Sequence, residues 1–239
     1  MVSDDLGTMS LVDHLAELRH RLIVVVAAVI IGGIVGFIFS TQAIDLLRAP
    51  LPDQYDILYF TSPLGGFAAK LKVAIFIGIA LAMPVILFEV WRFVTPGLTR
   101  RERRLVWPAL LASMVLFSLG IVVGYLILPF AFNFLLSFAE PNFPPLLTID
   151  EYLGFVTIML LAFGIVMEFP IVLIGLARAG VLSHRVLTAR RRSIIVGIVI
   201  FAIVVTPGGD PFSPLILSGV MYALFEGSLV VIRLMNRSS

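Results

Sequence analysis

Six long apolar stretches run through these 239 residues, and the charges between them fall almost entirely on alternate sides. The stretches lie at about Leu22–Phe39, Ala68–Val90, Leu105–Leu128, Tyr152–Ala177, Ser193–Val205 and Phe212–Ile232. An α-helix needs about 20 apolar residues to cross a ~30 Å hydrocarbon core. With the N-terminus placed inside, inside segments hold 14 of the 17 basic residues, in groups around Arg19 and Arg21, Arg92 to Arg104, Arg178 to Arg192, and Arg233 to Arg237. Only Arg48, Lys70 and Lys72 fall outside, where the connections carry acids instead: Asp45, Asp53, Asp56, Glu140, Asp150, Glu151 and Asp210. An excess of Lys and Arg in short loops marks the cytoplasmic side. The pattern therefore predicts an all-α membrane protein with six transmembrane helices and both termini in the cytoplasm.

Composition narrows the function classes. Hydrophobic residues make up 60% of the chain and charged residues 13%, far from a soluble balance. The basic residues form short juxtamembrane clusters rather than one continuous face, which argues against a nucleic-acid partner. There is no cysteine, hence no disulfide and no thiolate metal site. His14, His20 and His184 are scattered, so neither a metal nor another cofactor is expected. No His lies within a span and no Ser has a basic partner, so the chain lacks the dyad of an intramembrane hydrolase and is not read as an enzyme. The short loops predict one domain over residues 10–239, preceded by a flexible extension at 1–9, with Met9 a candidate start and no cleavable signal peptide.

Ser10-Leu-Val-Asp13 has the capping-box pattern, and Leu11, Leu15, Leu18 and Leu22 repeat on one helical face. This predicts an amphipathic cytoplasmic helix lying along the membrane, with Asp13, Glu17 and Arg21 on its other face and a bend into the first span near Leu22. Pro50, Pro52 and Pro63 break the outside connection from Ser40 to Phe67 into short helical turns over the outer surface. The uncharged stretch from Leu105 to Ala139 is too long for one span, so Pro129 is expected to end or kink it, with Phe130–Ala139 an aromatic helix at the outer interface. The last two spans are short. Ser193–Val205 covers only about 20 Å at 1.5 Å per residue. Either Arg190–Arg192 snorkel from a longer helix, or the bilayer thins there.

Two carboxylates sit within apolar helices, where a charge costs about 2.5–3.5 kcal/mol at the centre. Glu168, in Met167-Glu-Phe-Pro170, is either a protonated group hydrogen-bonded inside the bundle or a functional intramembrane polar site. Glu226 is either an interfacial residue near Arg233 or a polar contact for a partner. At the cytoplasmic face, Glu102 stands among Arg100, Arg101, Arg103 and Arg104, and Glu17 stands four residues before Arg21. Each has a plain reading, charge balance for Glu102 and an i,i+4 pair for Glu17. Each is equally a receptor for a cationic ligand on a face with few acids. Guanidinium would suit such a receptor, because its planar fork matches a carboxylate as Lys cannot.

Four motifs in register resemble the TatC family, the large membrane component of the twin-arginine protein translocase. They are His14-Leu-Ala-Glu-Leu-Arg-His-Arg-Leu22; the run from Pro84 through Trp91-Arg-Phe93 and Pro96-Gly-Leu98 to Arg101-Glu-Arg-Arg-Leu105; Phe163-Gly-Ile-Val-Met-Glu-Phe-Pro170; and Thr206-Pro207 with Asp210. The resemblance implies a receptor for folded secretory precursors in a prokaryotic plasma membrane, oligomeric with its own copies. Their signal peptides carry an Arg pair, which the family binds through the glutamates matching Glu17 and Glu102. It also implies single-span partners, TatA and TatB, and dependence on the proton gradient. Glu168 matches the family's intramembrane glutamate and Asp210 its outer-hairpin aspartate, while Glu89, Thr206 and Glu226 are the candidates for docking partner helices. Two positions depart from the pattern: Pro63-Leu-Gly-Gly-Phe67 lacks the usual outer Glu, and Pro214 stands where a Gln is common. The competing class is a proton-coupled small-solute transporter with Glu168 as carrier, although spans one and three hold almost no polar side chains.

Overall fold

A computed structural model of the chain describes residues 11–52, 55, 57–94, 106–139, 145–178 and 180–237. Glu102 and its arginine neighbours, the extension at 1–9, Ser10 and most of the Pro-rich segment 141–145 lie outside these residues. The described residues form α1 (Leu11–Ile38), α2 (Ser40–Arg48), α3 (Gly65–Val94), α4 (Val106–Leu136), α5 (Ile149–Val166), α6 (Phe169–Arg178), α7 (His184–Ala189), α8 (Arg191–Val205) and α9 (Phe212–Arg237). No strand accompanies them among the described residues, apart from a single parallel bridge between Tyr59 and Thr148. Five segments are long and apolar enough to cross a membrane, with α5 and α6 together making one of them. α8, at 15 residues, is shorter than the rest.

The helices differ from the sequence expectation in three places. α1 passes through Leu22 without interruption, so the amphipathic segment and the first span are one 28-residue helix. Leu15, Leu18 and Leu22 lie on its exposed side, whereas Arg21 is turned inward and buried. Of the two outcomes expected at Pro129, an end is ruled out: α4 continues for seven residues beyond it to Leu136, so the expected helix after the proline belongs to α4 itself. Leu128, Ala131 and Phe132 around it are buried, and Phe132 stacks on Tyr152 at 4.9 Å. Packing on both sides of the proline holds the turn whose hydrogen bond is missing. The fourth apolar stretch, by contrast, is two helices. Met167 and Glu168 form a turn between α5 and α6, and the Glu168 carbonyl accepts from the backbone N–H groups of Ile171 and Val172 at 3.0 and 3.2 Å. Pro170 is thereby the second residue of a new helix, where a missing N–H has no partner to lose.

Close backbone approach organises the bundle. Gly32 and Gly36 of α1 face Ala74 and Gly78 of α3, and a Cβ on Gly78 would lie 2.7 Å from the Val29 carbonyl. Gly120 and Gly124 of α4 face Phe163 and Gly164 of α5, where a Cβ on Gly120 would lie 2.5 Å from the Phe163 carbonyl. These are small-xxx-small contacts of the kind that let membrane helices touch without a hydrophobic driving force. α3 also packs on α5, and α9 packs on α6 and α8. The core follows the length of α5, with Leu153, Val156, Met159, Leu160 and Phe163 buried.

The end of the bundle that holds α2 and the start of α5 is closed by its connections. α2 buries Ile44 and Leu47, and its C-terminal carbonyls at Leu46 and Leu47 accept from the Tyr125 and Tyr152 hydroxyls at 2.8 and 2.7 Å. The Tyr59 N–H and carbonyl bond Leu147 and Ile149 across the connections that precede α3 and α5. Lys72 pairs with Asp150 at 2.8 Å, which ties α3 to the capped start of α5.

Candidate functional site

Three polar groups interrupt the apolar surfaces. The first is at the N-terminal end of α1 and the C-terminal end of α3. Arg21, buried on α1, sends Nη1 to Glu89 Oε2 at 3.0 Å and Nη2 to Glu17 Oε1 one turn earlier on its own helix. It also donates to the backbone carbonyls of Glu89 and Arg92 at 3.5 and 3.3 Å, close to the C-terminal end of α3. The i,i+4 pair expected of Glu17 is therefore present, but within a larger network. Glu17 remains a quarter exposed at the helix end, whereas Glu89 is only 9% exposed. Glu89 points into the fold toward Arg21. Sequence reasoning missed this contact because the two residues are 68 positions apart. The one available signal was a carboxylate and a guanidinium both placed near the inner ends of their helices. The chain beyond α3 continues through residues 95–105, which carry Glu102.

The second group is Glu168 at the α5–α6 turn. By helical rise it stands roughly 15 Å from the C-terminal end of α6 at Arg178, inside the apolar segment Ile149–Arg178. It is buried, and its Oε1 has no hydrogen-bond partner among the described residues. Ser113 of α4 is the neighbouring polar side chain, and its Oγ is likewise buried without a hydrogen bond. A carboxyl in this setting is held by the helix break rather than by a charge partner. It can accept or release a polar contact without dismantling an ion pair.

The third group lies on α8 and α9. Glu226 is paired with Arg191 at the start of α8, and Arg191 also bonds the Tyr222 hydroxyl at 3.1 Å. Arg191 lies close to the position that antiparallel packing of two helices puts opposite Glu226, whereas Arg233 is seven residues further along the same helix. At the α8–α9 turn, Thr206 is buried and donates to the Ala202 carbonyl at 2.8 Å. Gly208 and Gly209 have φ of 93° and 69°, the left-handed conformations that let this hairpin reverse. Asp210 is buried and its Oδ1 accepts from the Ser213 N–H at 2.7 Å, which caps α9. Its Oδ2 is buried with no hydrogen-bond partner among the described residues.

Comparison with known proteins bears on what this arrangement serves. The family model described as Sec-independent protein translocase protein (TatC) matches residues 13–219. A Deinococcus radiodurans protein named Sec-independent protein translocase protein TatC is 35% identical over 238 residues, which cover 96% of this chain and 87% of that protein. The chloroplastic TATC protein of Oryza sativa subsp. japonica is 37% identical over 230 residues, and the match spans 64% of its greater length. A crystal structure of the twin arginine translocase receptor TatC has a TM-score of 0.77 to this one at 35% identity, over 92% of this chain and 98% of that chain. The transporter reading of Glu168 finds no support in these relatives. By its helical fold and by similarity over nearly all of its length, this chain belongs to the TatC family of Sec-independent protein translocase components.

Proposed function

We propose that this chain is the receptor subunit of a twin-arginine translocase, that it binds the Arg pair of signal peptides through Glu17 and Glu102, and that it nucleates a translocation site with TatA and TatB. The observation that carries this reading is the placement of Glu17. It is a partly exposed carboxylate at the inner end of α1, beside the end of α3 from which the chain runs on to Glu102. A guanidinium arriving there meets a carboxylate in a part of the sequence where arginines outnumber acids. Charge-assisted bonds of this type contribute about 1.5–3 kcal/mol each. The reading includes six spans, with α8 as the fifth, both termini in the cytoplasm, and residence in a prokaryotic plasma membrane with other copies of the chain. TatA and TatB dock along α8 and α9, near Glu226 and Thr206. Glu168 contacts the inserted signal peptide or a partner helix within the bilayer, and transport draws on the proton gradient.

Titration of a twin-Arg precursor into membranes or detergent-solubilised protein tests the receptor site. Glu102→Gln and Glu17→Gln should each weaken binding by about tenfold or more, equivalent to roughly 1.4 kcal/mol per tenfold. Glu102→Gln should also erase the preference for Arg-Arg over Lys-Lys, since Lys cannot make the bidentate pair. Parent-like affinity and selectivity in both variants would place the receptor site elsewhere.

A further inference from the structure

α8 is held from one side. It packs chiefly on α9 and buries Ile198 and Ala202. Arg191 turns to the same side, where it pairs with Glu226 and bonds the Tyr222 hydroxyl at 3.1 Å. Two flanks remain. Gly197, Phe201 and Val204 form one, exposed, with open space around Gly197 into which another helix backbone fits. Arg192, Val196, Val199 and Ile203 form the other. Their spacing of i, i+4, i+7 and i+11 sets them in one stripe, and all four are exposed. Beyond Arg192 this stripe holds no small residue and no hydrogen-bonding side chain, the two things that let helices associate in lipid. It is bulky hydrocarbon beneath one cation.

Arg192 has no counter-ion among the described residues. From Arg178 to Arg233 the chain carries six arginines and two acids; Asp210 lies at the far turn of the α8–α9 hairpin, and Glu226 is taken by Arg191. A cation in the first turn also opposes the helix dipole, so helix stability does not account for Arg192, whereas a bound anion offsets its charge. The length of the stripe identifies what carries that anion. From Arg192 to Ile203 the helix rises about 16 Å, half of a ~30 Å hydrocarbon core and therefore the depth of one lipid leaflet. We infer that this flank of α8 is a binding site for an anionic phospholipid, with Arg192 donating to the headgroup phosphate and an acyl chain lying along Val196, Val199 and Ile203. Guanidinium pairs bidentately with two phosphate oxygens. A zwitterionic phospholipid brings its own cation, which competes for the same phosphate. The bound lipid fixes the start of α8 at headgroup level, so the bilayer adapts to the 15-residue helix.

The chain has no cysteine, so Val196→Cys places a single bimane label on the stripe. Full-length labelled protein is reconstituted into phosphatidylcholine nanodiscs doped with spin-labelled phosphatidylglycerol or with spin-labelled phosphatidylcholine. The anionic quencher should act at about fivefold lower mole fraction than the zwitterionic one, the preference that one Lys or Arg contact at a membrane surface supplies. Arg192→Gln should abolish the preference. Arg185→Gln, which makes the same change in net charge on α7, should leave it. Equal quenching by the two lipids without the Arg192 substitution overturns the inference, as does a preference that survives Arg192→Gln. An equal loss in Arg185→Gln marks a diffuse surface potential and overturns it too. Millimolar inorganic phosphate should leave the preference in place; its loss there assigns the site to free phosphate and not to a lipid. A label that neither lipid quenches means that a second copy of the chain covers the flank, and the lipid site is then rejected.

Discussion

Single side chains here carry charge into places where the bilayer makes charge costly, and each has a distinct way of being held. Arg21 and Glu89 are held by each other, whereas Glu168 is held by a backbone turn, with its Oε1 unpartnered among the described residues. A group of the second kind is expendable for folding. Glu168→Ala should therefore leave the protein inserted and abundant but defective in transport, as measured by export of a folded reporter against membrane abundance. Degradation of the variant would assign the carboxyl a structural role instead. Asp210 has the reverse character. Because its carboxylate caps α9 through Ser213, Asp210→Ala should lower stability by about 1 kcal/mol, while Asp210→Asn should retain most of it. Thermal unfolding in detergent reads the difference.

Helices in this molecule are positioned by what they lack as much as by what they present. α1 and α3 touch backbone to backbone because Gly32, Gly36 and Gly78 carry no side chain, and α4 and α5 do so at Gly120. Gly120→Leu must displace α5, since even a Cβ would lie 2.5 Å from the Phe163 carbonyl. Overpacking of this kind costs about 1–3 kcal/mol, and the variant should melt earlier than the parent in detergent. α8 raises a question of length rather than contact. Its 15 residues rise only about 22 Å against a ~30 Å core. If it spans, the bilayer beside it is thin. Inserting four Leu into α8 adds about 6 Å and should impair transport while leaving precursor binding intact. Unimpaired transport would mean that Arg191 and Arg192 reach the interface by snorkelling and the short span has no mechanical role.

The whole molecule is a bundle sealed at one end and polar at the other. At the end that holds α2 and the start of α5, the connections are stitched by Tyr59, Tyr125, Tyr152 and the Lys72–Asp150 pair. Arg21, Glu17 and Glu89 gather at the opposite end. That polarity, with 14 of 17 basic residues assigned to one side, predicts the orientation in the membrane. Reporter fusions after Ser239 should report the cytoplasm, and fusions within Pro50–Tyr59 the exterior. An exterior C-terminus would require an odd number of spans and remove α8 from the membrane.

Membrane residence, the position of each apolar segment and the alternation of charge were determined by the sequence alone, because transfer into lipid is nearly additive over neighbouring residues. Gly32 and Gly36, and Gly120 and Gly124, gained meaning as packing positions only where the structure set them against α3 and α5. Tertiary structure decided the rest. Pro129 is carried through a helix and Pro170 starts one, since the outcome depends on the packing around each ring and on where the chain turns at Glu168. Glu226 meets Arg191 rather than Arg233, and Glu89 meets Arg21 across 68 positions. Which buried acid finds which buried base is set by the helix neighbours that the bundle creates, and a local pattern carries no record of them.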